Sequence, residues 1–96
     1  MAIAVMQEWD AGGDRSTDNY DAIDERLQSL GAPDGLIAHC AGFSGDTFRI
    51  FDIWESNDAY NRFLSEHLQP AIEALVPADQ PPPNITVYEL HNVITP

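Results

Sequence analysis

The chain has 96 residues, of which 44% are hydrophobic, and a formal net charge of −12 at pH 7. This length fits one domain over residues 1–96, with a small hydrophobic core. Its four basic residues are all arginines, whereas nucleic acids and anionic membranes are bound through clustered positive charge. We therefore expect neither nucleic acid nor a membrane as a partner.

Cys40 is the single cysteine of the chain, so it has no partner for an internal disulfide and supports no cysteine-based metal site. A reducing compartment suits such a chain, and we expect a cytoplasmic location. The N-terminal apolar run is too short for a signal peptide, and no segment approaches the length of a membrane span.

The first third of the chain predicts a strand followed by a helix. Residues 2–9 alternate in the manner of a β-strand. Ser16, Thr17 or Asp18 can each cap the helix that follows, and Gly31 is expected to end it. The helix has an apolar face with spacings of three and four residues, made of Tyr20, Ile23, Leu27 and Leu30.

The middle of the chain predicts a hairpin and a second helix. Residues 36–42 and 47–54 have strand character, and Ser44-Gly45 is a turn signal between them. Ser56 is placed to cap the second helix. Pro70 is expected to break or kink that helix, because proline lacks the backbone N–H that a helix interior uses.

The last part of the chain predicts a short helical piece over residues 71–76, an extended proline-rich connector over 78–84 and a fourth strand over 85–94. The complete order is therefore β-α-β-β-α-β. This order is typical of the ferredoxin-like α+β fold, in which two helices cover one face of an antiparallel sheet.

Both faces of the predicted sheet are apolar. In the third strand, Phe48, Ile50 and Trp54 share one side, and Phe51 and Ile53 share the other. Two helices cover only one face, and an exposed apolar face of this size usually marks an interface. We therefore predict a homodimer that packs two sheets face to face, which forms an α/β barrel.

The segment Trp54-Glu55-Ser56-x-x-Ala59-Tyr60, with Phe63 following, resembles the antibiotic biosynthesis monooxygenase-like branch of the dimeric α/β-barrel superfamily. The resemblance implies a pocket between sheet and helices, with Trp54 and Tyr60 in its wall. Anthrone oxidases of this branch use neither metal nor flavin. Their asparagine four residues before the tryptophan is Ile50 in this chain.

Other members of the superfamily imply alternative activities. Its haem-degrading members use an asparagine on the first strand and a histidine on the second helix, for which Gln7 and His67 are the nearest equivalents here. Its plant polyketide cyclases use histidine and tyrosine as an acid–base pair, and this chain has histidines on its predicted strands.

His39 is the predicted general base. With a two-residue turn at Ser44-Gly45, it pairs opposite Ile50 and shares a face with Asp52 and Trp54. A carboxylate beside an imidazole orients the ring for proton transfer. The alternative is a buried or interface histidine with a backbone partner.

Asp52 lies within an otherwise apolar strand, where a carboxylate needs a partner. One interpretation is a salt bridge with Arg49 or Arg62. The other is a polar pocket in which Asp52 orients His39.

The remaining candidates line the predicted pocket. We expect substrate contacts from Trp54, Tyr60, Phe63, His67, Tyr88 and His91. Two of these have an alternative interpretation: His67 completes the helix–sheet interface, and His91, on the fourth strand, is structural. Aromatic residues, Tyr20 and Trp9 among them, can stack a flat ligand. The three histidines do not have the spacing of a metal motif, so we expect no metal and no cofactor.

Three functions follow as hypotheses. The first is a homodimer that binds an apolar aromatic or polyketide-like molecule; as an enzyme, it would be a cofactor-independent monooxygenase or a cyclase or isomerase. His39 and Asp52 would be its catalytic residues. The second is a non-enzymatic dimeric binding or stress-response module, and the third is a haem-binding or polyketide-cyclase-like enzyme.

Overall fold

A computed structural model of the chain describes residues 1–10, 16–75 and 83–94. Four strands lie within these ranges: β1 (Ile3–Asp10), β2 (Leu36–Ser44), β3 (Thr47–Trp54) and β4 (Asn84–Glu89). The helical elements are α1 (Asp18–Gln28), α2 (Asn57–Phe63), a π-helical segment (Leu64–Leu68) and α3 (Gln69–Leu75). The predicted β-α-β-β-α-β order is confirmed.

The four strands form one antiparallel sheet in the order β2-β3-β1-β4. This order places the first and third strands in the centre and is that of the ferredoxin-like fold, as predicted. The core lies where the helices meet the two central strands, and its buried residues are Ile3, Val5, Trp54 and Tyr60. No helix within the described ranges has the length and apolar character needed to cross a bilayer.

The β2–β3 hairpin has a different register from the predicted one. Its loop is Gly45-Asp46, because Ser44 pairs with Thr47, and Gly45 has the positive φ of 58° that a two-residue hairpin loop of this kind needs. Moving the loop by one residue shifts the pairing by two, so His39 lies opposite Asp52. The predicted pairing with Ile50 is wrong, but the predicted face is right because side chains alternate with a period of two.

An irregularity in β2 adjusts which side chains reach the core. Leu36 pairs with Trp54 and Ala38 with Ile53, so Ile37 is an extra residue between them. A bulge of this kind changes the alternation along one strand. As a result, Leu36 packs against the core cluster, while His39, three residues later, still faces the helices.

The two helical regions begin with different cap geometries. The side-chain oxygen of Ser56 accepts a hydrogen bond from the N–H of Ala59 at 3.1 Å, which confirms Ser56 as the predicted N-cap of α2. Thr17 occupies the N-cap position of α1 but makes no side-chain cap bond. Its hydroxyl donates instead to the carboxylate of Asp21 at 2.7 Å.

Pro70 does not break the second helical region, which remains helical from residue 57 to residue 75. The winding changes just before the proline: the N–H of Gln69 donates to the carbonyl of Leu64, five residues earlier. A proline ring crowds the carbonyl four residues before it. The wider π-helical turn accommodates that ring within a continuous helical region.

The fourth strand is shorter than predicted. It ends at Glu89, and one further backbone hydrogen bond joins the N–H of Leu90 to the carbonyl of Ala2 at 3.0 Å. His91 therefore follows the strand rather than lying on it, and the predicted strand over 85–94 is wrong after Leu90. Most of the predicted connector over 78–84 lies outside the described residues.

Gly35 allows α2 to pack closely against the chain just before β2, and its replacement tests that contact. It has a φ of 86°, and an added Cβ would lie 2.6 Å from the Cβ of Ala59. We expect Gly35→Ala to destabilise the protein by the backbone cost of about 1–2 kcal/mol plus a further ~1–3 kcal/mol for the steric clash. Urea unfolding measures the difference.

Gly31→Ala is the matched control for the Gly35 variant. Gly31 has a similar φ of 80°, but nothing lies within 4 Å of an added Cβ. This variant should show the backbone cost alone, and equal losses of stability in the two variants would contradict the close contact between Gly35 and Ala59.

Candidate functional site

A cavity of about 1740 Å³ lies between the helix-facing side of the sheet and the helices. Ligand pockets usually measure roughly 300–1,000 Å³, so this one has room for a molecule of several rings. Its sheet wall includes Gln7, Trp9, His39, Ile50, Asp52 and Trp54. Its helical wall includes Tyr20, Ile23, Leu27, Tyr60, Phe63 and Leu64.

His39 and Asp52 form a direct pair in the cavity wall. They are cross-strand partners in the β2–β3 hairpin, and His39 Nδ1 lies 2.5 Å from Asp52 Oδ1. A carboxylate only accepts hydrogen bonds, so Nδ1 carries the proton and donates it to Asp52. The pair satisfies a carboxylate in a residue that is only 8% exposed and fixes the orientation of the imidazole.

Tyr20 completes a chain of three hydrogen-bonded groups. Its hydroxyl lies 2.6 Å from His39 Nε2, and the tyrosine and imidazole rings are nearly parallel, at 3°. Tyr20 also contacts the edge of Phe48, with 5.4 Å between ring centroids. When His39 is neutral, Nε2 accepts the tyrosine proton; when His39 is protonated, Nε2 donates to the tyrosine oxygen.

The chain of three groups links α1 to the sheet. None of the residues of α1 is buried, and the cavity lies between this helix and the strands. Tyr20 bridges the two through His39 and Phe48. The helix thus brings a hydroxyl to the site while leaving space beneath it.

Nearby carboxylates raise the pKa values of both His39 and Tyr20. The hydrogen bond to Asp52 is the main cause that raises the pKa of His39 above its ordinary 6.5, and partial burial acts in the opposite direction. Burial raises the pKa of Tyr20 above its ordinary 10.0, and the carboxylates of Asp24 and Asp52 raise it further. The tyrosine hydroxyl therefore keeps its proton at neutral pH, and His39 is a stronger base than an ordinary histidine.

Trp54 and its neighbours form an aromatic wall. Trp54 is 1% exposed, and its ring lies 5.8 Å from Tyr60 and 5.2 Å from Phe63 between centroids. Within the described residues, its indole Nε1 is a buried donor without a hydrogen-bond partner. Burial raises the pKa of Tyr60, which keeps its hydroxyl protonated.

Sequence reasoning did not place Tyr20 or Gln7, two of the polar residues that line the cavity, among the polar groups of the predicted pocket. Tyr20 was expected only as a stacking residue, because its partner His39 is 19 positions away on another element. Gln7 entered only through the haem comparison, yet it is 7% exposed and lines the cavity. Its signal was present in the strand pattern, since Gln7 is the polar residue on the face of Ile3, Val5 and Trp9.

The predicted salt bridge between Asp52 and an arginine is wrong. Arg49 pairs with Glu8, with 3.0 Å between Nε and Oε2, and these two residues are cross-strand partners on the sheet face that points away from the helices. Arg62 lies in α2 and is exposed. The partner of Asp52 is His39, as the other interpretation expected.

Three predicted substrate-binding residues lie outside the cavity. Tyr88 pairs with Ala4 on the opposite face of the sheet and is 45% exposed, because its position in β4 alternates away from the helices. His91 follows the end of β4 and is exposed. His67 is also exposed, so it does not complete the helix–sheet interface; it borders a separate recess of about 190 Å³.

The other predicted site residues come together. His39, Asp52, Trp54, Tyr60 and Phe63 all line the one large cavity, while their catalytic and substrate-binding roles stay predictions. Among the residues that the structure describes, no group of three or more His, Cys, Asp and Glu side chains could hold a metal ion.

The dependence of His39 on Asp52 can be measured directly. We expect Asp52→Asn to lower the pKa of His39. The substitution removes the charge of the carboxylate and its hydrogen bond to His39, which raise this pKa, while burial still lowers it. A histidine-selective NMR titration of both proteins, assigned with His39→Gln, gives the two midpoints. An unchanged midpoint would contradict the pairing.

The same pair makes stability depend on pH in a defined direction. Because the pKa of His39 is raised in the folded state, its contribution is complete below the unfolded value of 6.5 and is lost as pH rises through the raised value. The stability difference between wild type and His39→Gln should therefore shrink over that range in urea unfolding. A difference that grows with pH would contradict this sign.

No protein-family model matches the chain, and a search of curated proteins finds no significant match. Solved structures do match over nearly the whole chain. A Nitrosomonas europaea protein of unknown function, NE2512, is 24% identical, with a TM-score of 0.72 over 99% of this chain and 94% of its own.

Two further structures carry functional descriptions of their own. A proposed antibiotic biosynthesis monooxygenase from Deinococcus radiodurans is 20% identical, with a TM-score of 0.71 over 99% of this chain and 97% of its own. SnoaB, a cofactor-independent oxygenase from Streptomyces nogalater, is 12% identical, with a TM-score of 0.68 over 97% of this chain and 96% of its own. The chain therefore shares its fold with these proteins, a proposed antibiotic biosynthesis monooxygenase and a cofactor-independent oxygenase among them, and the predicted resemblance is confirmed at the level of the fold.

Proposed function

We propose that this protein binds a flat, apolar aromatic molecule of polyketide type between its sheet and helices and transfers a proton from it to His39. The observation that carries this proposal is the hydrogen-bonded chain Tyr20–His39–Asp52 in the wall of a large cavity. A base, a group that orients it and an adjoining hydroxyl are the parts that general acid–base catalysis needs. The half-buried rings of Trp9, Tyr20, Phe48 and Phe63 in the cavity lining supply a stacking surface for the ligand.

The proton path follows from the hydrogen bonds. Tyr20 occupies His39 Nε2, so a ligand proton reaches the imidazole through the tyrosine hydroxyl. Tyr20 gives its own proton to Nε2 and takes one from the ligand, which leaves a ligand anion, neutral Tyr20 and protonated His39. Asp52 stabilises the imidazolium through Nδ1.

For an anthrone-type ligand, oxygen completes the reaction without a cofactor, in keeping with the description of SnoaB as a cofactor-independent oxygenase. The deprotonated ring carbon forms a C–O bond with O₂, and O₂ is reduced to a peroxide anion. The imidazolium returns its proton to give a hydroperoxide, and loss of water leaves a quinone. One anthrone and one O₂ thus give one quinone and one water.

Two alternatives use the same cavity. A cyclase or isomerase would use the first proton transfer and end with its return to carbon. A binding module would retain the ligand and perform no chemistry. A haem-binding role has less support, because both nitrogens of His39 are already engaged and His67 and His91 are exposed outside the cavity.

The enzyme proposal is tested with 1,8-dihydroxyanthrone, whose conversion to the quinone is followed by absorbance against a protein-free blank. We expect His39→Ala to lose about 10²–10⁴-fold in kcat, the usual contribution of a general base. His67→Ala is the matched control, since this histidine is exposed and outside the cavity. Equal turnover by wild type and His39→Ala would remove the mechanism.

We also propose that the protein is a homodimer through the sheet face that points away from the helices. This face carries Met6, Phe51, Ile53 and Tyr88, and its central charged pair, Glu8 with Arg49, is neutral overall. A largely apolar face whose charged pair is neutral overall, on a chain of net charge −12, is the surface on which two copies repel each other least.

The dimer is tested by light scattering after size-exclusion chromatography. Tyr88→Glu places a charge on the proposed interface and should shift the mass toward the monomer. Leu30→Glu makes the same kind of change at an exposed residue beyond the end of α1 and should leave the mass unchanged. A monomeric wild type would refute the dimer without affecting the proposal for the cavity.

A further inference from the structure

The lining of the cavity has an unequal distribution of charge. Carboxylates of the lining whose side chains lie on the helices or on the helix-facing side of the sheet include Asp18, Asp24, Asp52 and Glu73. Glu8 and Asp10 also border the cavity, but their side chains alternate to the other face of the sheet, where Glu8 is paired with Arg49. Among the described residues, no arginine lines the cavity, and the sequence has no lysine. Arg15 lies outside the described residues.

The negative charge of Asp24 acts on the site itself. Asp24 lies on α1, one turn after Tyr20, and accepts a hydrogen bond from Gln28 at 2.8 Å. Its charge acts on both groups of the proton path, since it raises the pKa of Tyr20 and of His39. A field that holds protons on these residues opposes a negative charge on a ligand in the same place.

In the described part of the lining, a ligand anion would also find no arginine or lysine, and both ring nitrogens of His39 are already engaged. An acid bound here would lose hydration without gaining the arginine or lysine contacts that usually replace it. A protonated amine, in contrast, would meet carboxylates and the half-buried rings of Tyr20 and Phe63, and aromatic faces attract cations.

We infer that the cavity selects ligands by charge: it accepts neutral or cationic aromatic molecules and rejects their carboxylate or phosphate counterparts. This inference rests on the proposed function, because it takes the cavity as the binding site. It narrows the substrate class to molecules without an ionised acid, such as neutral phenols, ketones, esters and amines. Asp24 and Glu73 are the specificity-determining residues, and they lie outside the proton path.

Three fluorescent probes with one ring system test the inference: 9-anthracenemethanol, 9-anthracenecarboxylate and 9-(aminomethyl)anthracene. Fluorescence anisotropy near neutral pH measures the Kd of each with the intact protein. We expect the alcohol and the ammonium to bind, and the carboxylate to bind roughly tenfold more weakly or worse. Added salt should reduce the difference in Kd between the alcohol and the carboxylate, because it screens the repulsion between the carboxylate probe and the acidic residues of the lining.

Variants assign the effect to the lining. Asp24→Asn combined with Glu73→Gln removes two carboxylates and should strengthen carboxylate binding while leaving the Kd of the alcohol unchanged. Asp24→Asn alone is also compared with Glu25→Gln, which removes one charge from the neighbouring position of α1 outside the cavity lining. Glu25→Gln should leave the difference in Kd between the alcohol and the carboxylate unchanged.

Each outcome has a defined meaning. A carboxylate that binds wild type as tightly as the alcohol overturns the charge selection while leaving the proposed binding site intact. An equal effect of Glu25→Gln and the double variant overturns the role of Asp24 and Glu73. If none of the three probes binds, the proposed function fails, and the inference fails with it.

Discussion

The carboxylate of Asp52 needs a partner inside the sheet, and the pairing that meets this need organises the rest of the site. Asp52 is nearly buried at the centre of β3, where an unpaired charge would be costly. His39 lies directly opposite on β2 and donates to it. The same imidazole then holds the hydroxyl of Tyr20, which fixes the position of α1 above the sheet. One electrostatic requirement thus links an edge strand, a central strand and a helix.

The cavity exists because the helices are packed unevenly. α2 is close to the sheet, with Gly35 against Ala59 and Trp54 against Tyr60 and Phe63. α1 has no buried residue, and the space beneath it is bridged by Tyr20. The protein therefore combines a tightly packed end, which supplies much of the core, with an open end where polar groups meet a ligand-sized space. Loss of packing at a site is the usual compromise between stability and function.

The shared fold does not by itself transfer a reaction, since one fold supports many activities. The structural neighbours include a cofactor-independent oxygenase, but this chain has Ile50 at the position of the asparagine that the anthrone oxidases of the branch use. The polar groups of its cavity instead include Tyr20, His39, Asp52 and Gln7. If the reaction is similar, the groups that transfer the proton are His39 on β2 and Tyr20 on α1. The aromatic wall at Trp54 and Tyr60 is the part that the resemblance anticipated.

The sequence by itself determined the order of the elements, the cap of α2 and the face of each central strand, because these depend on local backbone preferences and on the period-two alternation of side chains. It could therefore place His39 and Asp52 on one face even with the wrong hairpin register. The tertiary structure alone decided that Tyr20 meets His39, that Arg49 meets Glu8, and that Tyr88 and His91 lie outside the cavity. These contacts depend on where a loop turns, where a strand ends and how far a helix lies from the sheet. Such long-range distances arise from the packing of the whole chain, and no local pattern of residues encodes them.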